Sequence, residues 1–309
     1  MNTKVYMITG VTSGLGKAIT LALAKTGETV IMVARDADRA AQVEKEISSA
    51  TQNPNLDMQL CDLANFSSVR NLATILSSRY NHIDVLINNA SIYKRKRETS
   101  IDGYEMMFAT NHLGPFLLTY LLLDRLLDSG SARVINITAP STTQLNFDDL
   151  QGDKNFNSLN AFGATKMANL LFTYELARRM ENTGVTVNAL HPGLVRSTLM
   201  KEAFAPIRFL TWLFSSPANH AAEEVVKVAI SPEFEETHGK FLHKGKEIEA
   251  AAYTLDPANQ LKLWEISEKL THASEQEPNY DPTGSIAMHN NDDIPEGLIR
   301  PEDKPTQKD

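Results

Sequence analysis

A single cysteine, Cys61, among 309 residues excludes an intramolecular disulfide framework, and no stretch pairs Cys with His at the spacing zinc requires. A reducing cytosol is the expected setting. No run of eighteen or more apolar residues occurs, and the opening MNTKVYMITG passes into a strand-like segment without a charged-then-apolar leader. The expectation is a protein neither exported nor membrane-spanning. An excess of positive charge is missing too: 30 Lys and Arg stand against 38 Asp and Glu, a formal charge of −8. Residues 275–309 hold nine of the acids and three of the bases, so the rest of the chain is close to neutral. That balance argues against a nucleic-acid partner held through its phosphates.

The acidic stretch 275–309 also contains five prolines and few large apolar residues. It cannot bury enough surface to offset its ordering entropy and is expected to be a largely disordered tail. Residues 1–274 are expected to form one domain, since a chain of this length and 42% hydrophobic content can fill a single large core.

Within that domain, β-branched runs alternate with segments of helical period, the pattern of parallel βαβ units. The strands predicted are Lys4 to Thr9, Thr29 to Ala34, Asp57 to Cys61, Val85 to Asn88, Arg133 to Thr138 and Val185 to Leu190. Helices are predicted near 15–26, 37–50, 66–79, 101–128 and 161–182. Right-handed crossovers turn this order into an α/β, single-domain, doubly wound parallel sheet of Rossmann type, whose ligands sit beyond the carboxyl ends of the strands.

The residues after the first strand read Thr9-Gly10-Val11-Thr12-Ser13-Gly14-Leu15-Gly16. Gly10 permits a tight turn, Gly14 lets backbone approach a diphosphate, Gly16 allows close helix–strand packing, and the helix amides face the anion. A dinucleotide is the ligand this turn predicts, with Thr12, Ser13 and Leu15 beside it. The second strand ends Val33-Ala34-Arg35-Asp36. Arg35 offers a planar cation suited to a 2′-phosphate, which favours NADP(H) over NAD(H). The plainer alternative is a solvated arginine, with Asp36 capping the next helix.

The TGxxxGxG spacing resembles the short-chain dehydrogenase/reductase family, and other marks follow in order: Asp62-Leu63, Asn88-Asn89-Ala90, Asn111 and His191-Pro192-Gly193. The resemblance covers roughly residues 3–272. It implies that Asp62 meets the adenine amino group, that Asn88 and Ala90 line the ribose region, and that Pro192 and Gly193 flank the nicotinamide, with Leu63 and Val195 also in the coenzyme site. Thr198 is implied at the carboxamide or phosphate. For Asp62 taken alone, a helix cap is the competing reading. A homodimer or homotetramer is implied as well, through the long helices near 101–128 and 161–182.

The same resemblance exposes a departure at the chemical centre. The family places a tyrosine four residues before a lysine, a serine at the end of the fifth strand, and an asparagine that holds a water relay. Here Ala161-Phe162-Gly163-Ala164-Thr165-Lys166 retains Lys166 but sets Phe162 at the tyrosine position, and Ala139 falls at the serine position. Asn111 and Lys166 remain as the expected catalytic pair. Phenylalanine cannot donate a proton, so Tyr93, Ser158, Thr138, Ser141 and His191 become candidate replacements, each competing with an ordinary turn or rim role. Three accounts stay open: hydride transfer to a carbonyl or enone, non-redox isomerisation or cyclisation, and a coenzyme-binding sensor.

Asn146-Phe147-Asp148-Asp149-Leu150 and Asn169-Leu170-Leu171-Phe172-Thr173 look like the retinol-dehydrogenase and protochlorophyllide-reductase branch, which implies a bulky hydrophobic small-molecule substrate. Phe204, Ile207, Phe209, Leu210, Trp212, Leu213 and Phe214 fall where the family builds a substrate lid, expected over about 194–250; core or subunit packing is the alternative. Lys94-Arg95-Lys96-Arg97 is either a solvated loop or a basic mouth that draws an anionic or membrane-delivered substrate.

Overall fold

The computed structural model describes residues 3–195, 199 and 215–275. Eight strands form one sheet: β1 (Val5–Thr9), β2 (Thr29–Ala34), β3 (Leu56–Leu60), β4 (Val85–Asn88), β5 (Arg133–Ile137), β6 (Thr186–Leu190), β7 (Phe241–His243) and β8 (Lys246–Glu247). Their spatial order is β3-β2-β1-β4-β5-β6-β7-β8, parallel throughout except for the β7–β8 pair. The six strands expected are present, with ends that differ by no more than a residue. β1 is buried at every position, as strands covered on both faces must be.

Pleat parity sorts the side chains into two layers. Tyr6, Ile8, Val30, Met32, Ile87, Ile135 and Leu190 share one core with α1 (Gly14–Ala24) and α2 (Ala37–Thr51). The opposite layer contains α3 (Phe66–Arg79), a segmented element from α4 (Met106–Phe108) through α5 (Gly114–Leu121) to α6 (Leu123–Leu127), and α7 (Ser158–Arg179). The single helix expected over 101–128 is interrupted. A π-helical turn, Ala109–Leu113, separates α4 from α5, Pro115 lies in the first turn of α5, and Leu122 leaves helical geometry before α6. Proline has no amide hydrogen to continue the preceding ladder, which accounts for the first break.

The lid expected over about 194–250 is corrected in part. Ala218–Ile230 forms α8, whose Ala221, Ala222, Val225, Val228 and Ala229 join the same core as Ile19 and Leu23 of α1. β7 extends the sheet beside β6. Burial of these apolar side chains makes this stretch a structural layer. Phe204, Ile207, Phe209, Leu210, Trp212, Leu213 and Phe214 lie outside the described residues, as does Thr198, and so does the expected tail from residue 276 onward.

After α9 (Ala252–Leu255), α10 (Pro257–Thr271) packs against α7 and α5. Trp264 of α10 is buried among Phe116 (ring centroids 4.9 Å), Phe172 (6.1 Å) and Tyr120 (6.2 Å), with the Arg179 guanidinium 4.1 Å from its ring. His112 joins this interface, stacked on Phe108 at 5.3 Å, with Nε2 2.9 Å from the Ser267 hydroxyl. Helices that the resemblance assigns to a subunit seam are thus faced, within the same chain, by α10.

Two expectations follow. Trp264→Ala should cost about 3–5 kcal/mol in urea-induced unfolding, as deep aromatic truncations do, and should make light scattering report self-association through the uncovered aromatic face. Burial holds the His112 imidazole down to about 4, so its neutral form is the one that folds. Its contribution to stability is complete above the unfolded value of about 6.5 and is lost as pH falls toward 4, by roughly 3 kcal/mol at most. Unfolding curves of wild type and His112→Gln should therefore converge between pH 7 and 4; parallel curves would show that His112 does not drive the acid loss.

Candidate functional site

The order of winding reverses between β1 and β4, and a cleft of about 570 Å³ opens there at the carboxyl ends of the strands. It runs from Arg35, Asp36 and Arg39 past Gly10, Thr12, Ser13, Leu15 and Gly16 to Ala139, Phe162 and Lys166. Gly10 has φ +76°, and a Cβ there would lie 2.8 Å from Cα of Ala90. At Gly16 an added Cβ would overlap the Gly10 carbonyl oxygen and crowd the Asn89 amide. These two positions let the first turn of α1 settle against the ends of β1 and β4. That first turn carries no acidic side chain to compete with a bound anion. The cradle therefore fits a diphosphate.

At one end of the cleft, Arg35 and Arg39 are exposed side chains on its wall. Asp36 caps α2 by accepting from the Arg39 amide at 2.9 Å, which is the plainer role the sequence allowed it. Asp62, Leu63 and Ala90 also line the cleft. Asp62 does not cap α3; Asn65 does, accepting from the Ser68 amide. Instead Asp62 accepts from the Ala64 amide at 3.0 Å. Pro192, Gly193 and Val195 form the opposite rim. Gly14 is absent from the lining, although its neighbours Ser13 and Leu15 are there.

Two of the expected residues do not line the cleft. Asn88 points away from the cleft: its Nδ2 donates to Thr119 Oγ1 (3.0 Å) and Asn136 Oδ1 (2.9 Å), and Asn136 donates on to Thr173 Oγ1 (3.0 Å). The pleat alternates, so the next residue, Asn89, is the one that lines the cleft. Its Nδ2 donates to the Thr9 and Gly10 carbonyls at 2.8 and 3.3 Å. Asn111 is buried and does not line the cleft either. Held in the π turn, it accepts from the Ile92 amide (2.7 Å) and donates to the Ile92 carbonyl (2.9 Å) and Thr165 Oγ1 (3.2 Å). The geometry makes it a strut for the loop after β4.

Lys166 reaches the cleft from α7 with its Nζ donating to Ser91 Oγ at 3.0 Å and lying 5.1 Å from the Phe162 ring centroid. Burial holds the ammonium down to about 8. Phe162 packs edge-on to Tyr93 at 5.7 Å, and both belong to an apolar cluster with Met107, Ile92, Phe156, Ala161 and Leu199. Of the proposed replacement acids, Thr138 and His191 line the cleft, whereas Tyr93, Ser158 and Ser141 do not. The Tyr93 and Ser158 hydroxyls bond each other at 2.9 Å, and Ser141 donates to the Gly163 carbonyl. Burial, followed by the neighbouring His243, lowers the His191 imidazole below its usual value.

The basic run is not a free mouth. Lys94 pairs with Glu98 at 3.0 Å, Arg97 pairs with Asp153 at 2.5 Å, and no member of the run lines the cleft. Sequence reasoning missed Arg39, Asn89, Ser91 and Ile92. Arg39 could have been found as the residue one helical turn on from Arg35, whereas Ser91 carries no signal apart from following Asn88-Asn89-Ala90.

A family model described as short chain dehydrogenase matches residues 4–207. Human retinol dehydrogenase 14 is 37% identical over 289 residues, covering 87% of this chain and 86% of the relative. Mouse retinol dehydrogenase 12 is 35% identical over 273 residues, covering 86% of each. Among solved structures, an uncharacterized protein from Mycobacterium paratuberculosis is 29% identical, with a TM-score of 0.70 over 87% of this chain and 93% of that one. A protein described as an NAD(P)-dependent gluconate 5-dehydrogenase from Beutenbergia cavernae, with bound NADP at low occupancy, is 25% identical, with a TM-score of 0.62 over 78% and 94%. The chain belongs to the short-chain dehydrogenase family of oxidoreductases. Within that family its relatives group it with the retinol-dehydrogenase-like branch.

Gly16→Ala is the direct test of the turn. The extra methyl would overlap the Gly10 carbonyl, which is backbone, as well as the Asn89 amide, so at least about 1–3 kcal/mol of stability should be lost, together with affinity for any nicotinamide coenzyme. Thermal unfolding and fluorescence titration would check both; an unaltered titration would remove the turn from the site.

Proposed function

We propose that this protein is an NADP(H)-dependent oxidoreductase that acts on a bulky hydrophobic carbonyl or enone, through an altered set of catalytic residues. The observation that carries the reading is a single cleft joining the Arg35–Arg39 pair, the Gly10–Gly16 turn and the Lys166–Phe162 corner. When bound, the coenzyme supplies or accepts a hydride. Thr12, Ser13, Leu15 and the α1 amides would hold its diphosphate, and Asp62, Leu63 and Ala90 its adenosine half. Lys166 would meet the nicotinamide ribose, with Pro192, Gly193 and Val195 around the ring.

Arg35 and Arg39 support NADP(H) over NAD(H). Both are cations on the cleft wall, Arg35 just after β2 and Arg39 in the first turn of α2, and neither forms an ion pair among the described residues. Each is placed to give charge-assisted hydrogen bonds to a 2′-phosphate. For the substrate, the apolar side chains of Ile92, Ile137, Phe162, Leu194 and Leu199 favour a large hydrophobic molecule over a sugar or hydroxy acid. Asn111 serves this arrangement as a positioning residue, by fixing Ile92 through its amide and carbonyl.

The reducing cytosol is the setting we propose, in keeping with one buried thiol. Among the described residues no helix is long and apolar enough to cross a membrane. Self-association into a homodimer or homotetramer is also part of the proposal, on a surface other than the aromatic face that α10 covers.

Coenzyme choice is tested by Arg35→Ala and Arg39→Ala. A lost charge-assisted bond of about 1.5–3 kcal/mol should weaken NADPH roughly 10- to 100-fold while leaving NADH nearly unchanged; equal losses for both coenzymes would overturn the choice. Activity is tested by following nicotinamide oxidation against ketones and enones, with Phe162→Tyr plus Ala139→Ser beside the wild type. Restoring a phenolic acid should raise carbonyl reduction, by no more than the roughly 10²- to 10⁴-fold that general acid catalysis is worth. No turnover by either protein would reject the redox reading.

A further inference from the structure

Reduction of a carbonyl leaves charge on oxygen, and Phe162 has no proton to give. The hydroxyls and imidazole around the corner can be sorted by what they already bind. Thr138 donates to the Lys166 carbonyl at 2.9 Å, Ser141 donates to the Gly163 carbonyl, and Tyr93 and Ser158 satisfy each other outside the cleft. His191 is held neutral by burial and by His243, so it is not a proton-loaded acid at neutral pH. Thr110 also lines the cleft with a buried, unpartnered hydroxyl, but it makes no bond to Lys166; Ser91 differs from all of these. It lines the cleft, accepts from the Lys166 ammonium at 3.0 Å, and has its own hydroxyl hydrogen committed to no acceptor among the described residues.

We infer that Ser91, charged with protons by Lys166, is the catalytic residue that exchanges a proton with the substrate oxygen in place of the missing phenol. The assignment rests on the carbonyl-reducing reading above. Three features of the structure support it. Ser91 and Lys166 share the cleft with Phe162 and Ala139, the positions where the resemblance puts the usual hydroxyls. Asn111 anchors Ile92, the next residue, at both backbone atoms, so the hydroxyl is carried on a fixed loop. Lys166 is buried with Ser91 as the partner of its Nζ, and its surroundings are Phe162 from its own helix, Thr138 from the end of β5 and the β4 loop. No described carboxylate or second cation bears on its charge; desolvation alone lowers it, and His191, across the cleft, interacts electrostatically with His243.

The proton balance closes. As hydride from the reduced nicotinamide coenzyme bonds to the carbonyl carbon, the C=O π bond breaks and its electron pair stays on oxygen. That oxygen takes the Ser91 hydroxyl proton, Ser91 takes one from the Lys166 ammonium, and the neutral amine regains a proton from water. In alcohol oxidation every transfer runs backwards.

The test compares wild type, Ser91→Ala, Ser91→Thr and the double variant Ser91→Ala with Phe162→Tyr. Wild-type reduction should fall as pH rises past about 8, where Lys166 loses its proton. Ser91→Ala should lose about 10²- to 10⁴-fold in kcat and lose that pH break, with coenzyme affinity by fluorescence largely retained. Ser91→Thr should keep activity, and adding Phe162→Tyr to Ser91→Ala should restore it, which a merely structural defect would not allow. A readout independent of turnover is the pH dependence of Lys166 acetylation in coenzyme-free protein, followed by mass spectrometry. Its midpoint should fall in Ser91→Ala, where the ammonium has lost its acceptor. An active wild type with an equally active Ser91→Ala, or an unmoved acetylation midpoint, overturns the Ser91 assignment alone. A wild type that binds coenzyme yet reduces no carbonyl overturns the reading on which it rests.

Discussion

Everything in the cleft is referred to the place where β1, α1 and β4 meet with almost no space between backbones. Gly16 sits against the Gly10 carbonyl, Gly10 against Ala90, and Asn89 donates to the carbonyls of Thr9 and Gly10. Thr9 Oγ1 accepts from the Asn89 and Ala90 amides, both at 3.1 Å, and so closes the clamp from the other side. The clamp joins the two strands at which the direction of winding changes. Because it uses backbone groups and two short side chains, Thr9 and Asn89, it leaves the amides at the start of α1 facing the crevice. Loosening it would move both halves of the coenzyme path at once.

A second set of buried polar contacts lies beneath the chemical corner. Asn88, Asn136, Thr119 and Thr173 connect β4 and β5 to α5 and α7, and each hydroxyl also donates back to its own helix, at 2.7 and 2.6 Å. Groups of this kind are costly to bury unless paired, and once paired they specify one arrangement. They fix the height at which α7 crosses the sheet, and therefore where Lys166 emerges. The charged amine is placed by neutral neighbours it does not touch.

Much of this was legible before any coordinates. Continuous apolar strands, the glycine turn, and the pairing of Phe162 with Lys166 on one helix all depend on local pattern, and each falls where pattern puts it. Asn88 and Asn111 do not line the cleft, and for a shared reason: a motif fixes which residue is present, not which way it points. At the end of β4 a one-residue step of the pleat exchanges a buried strut for a cleft wall. At Asn111 the π turn rotates the side chain behind Ile92. Ser91 was invisible because its significance comes from Lys166, seventy-five residues away. α10 is absent from the helices expected, because the role of its apolar face is set by the aromatic faces of distant helices.

The position of α10 bears on how the chain is made. Phe116 and Phe172 emerge during synthesis well before Trp264, the ring that shields them. Until α10 leaves the ribosome, a partly formed sheet must carry a greasy, unshielded flank, the condition under which nascent chains stick to one another or to chaperones. A stop codon placed between α9 and α10 would therefore spare every cleft residue named above and still leave the aromatic face of α5 and α7 unshielded.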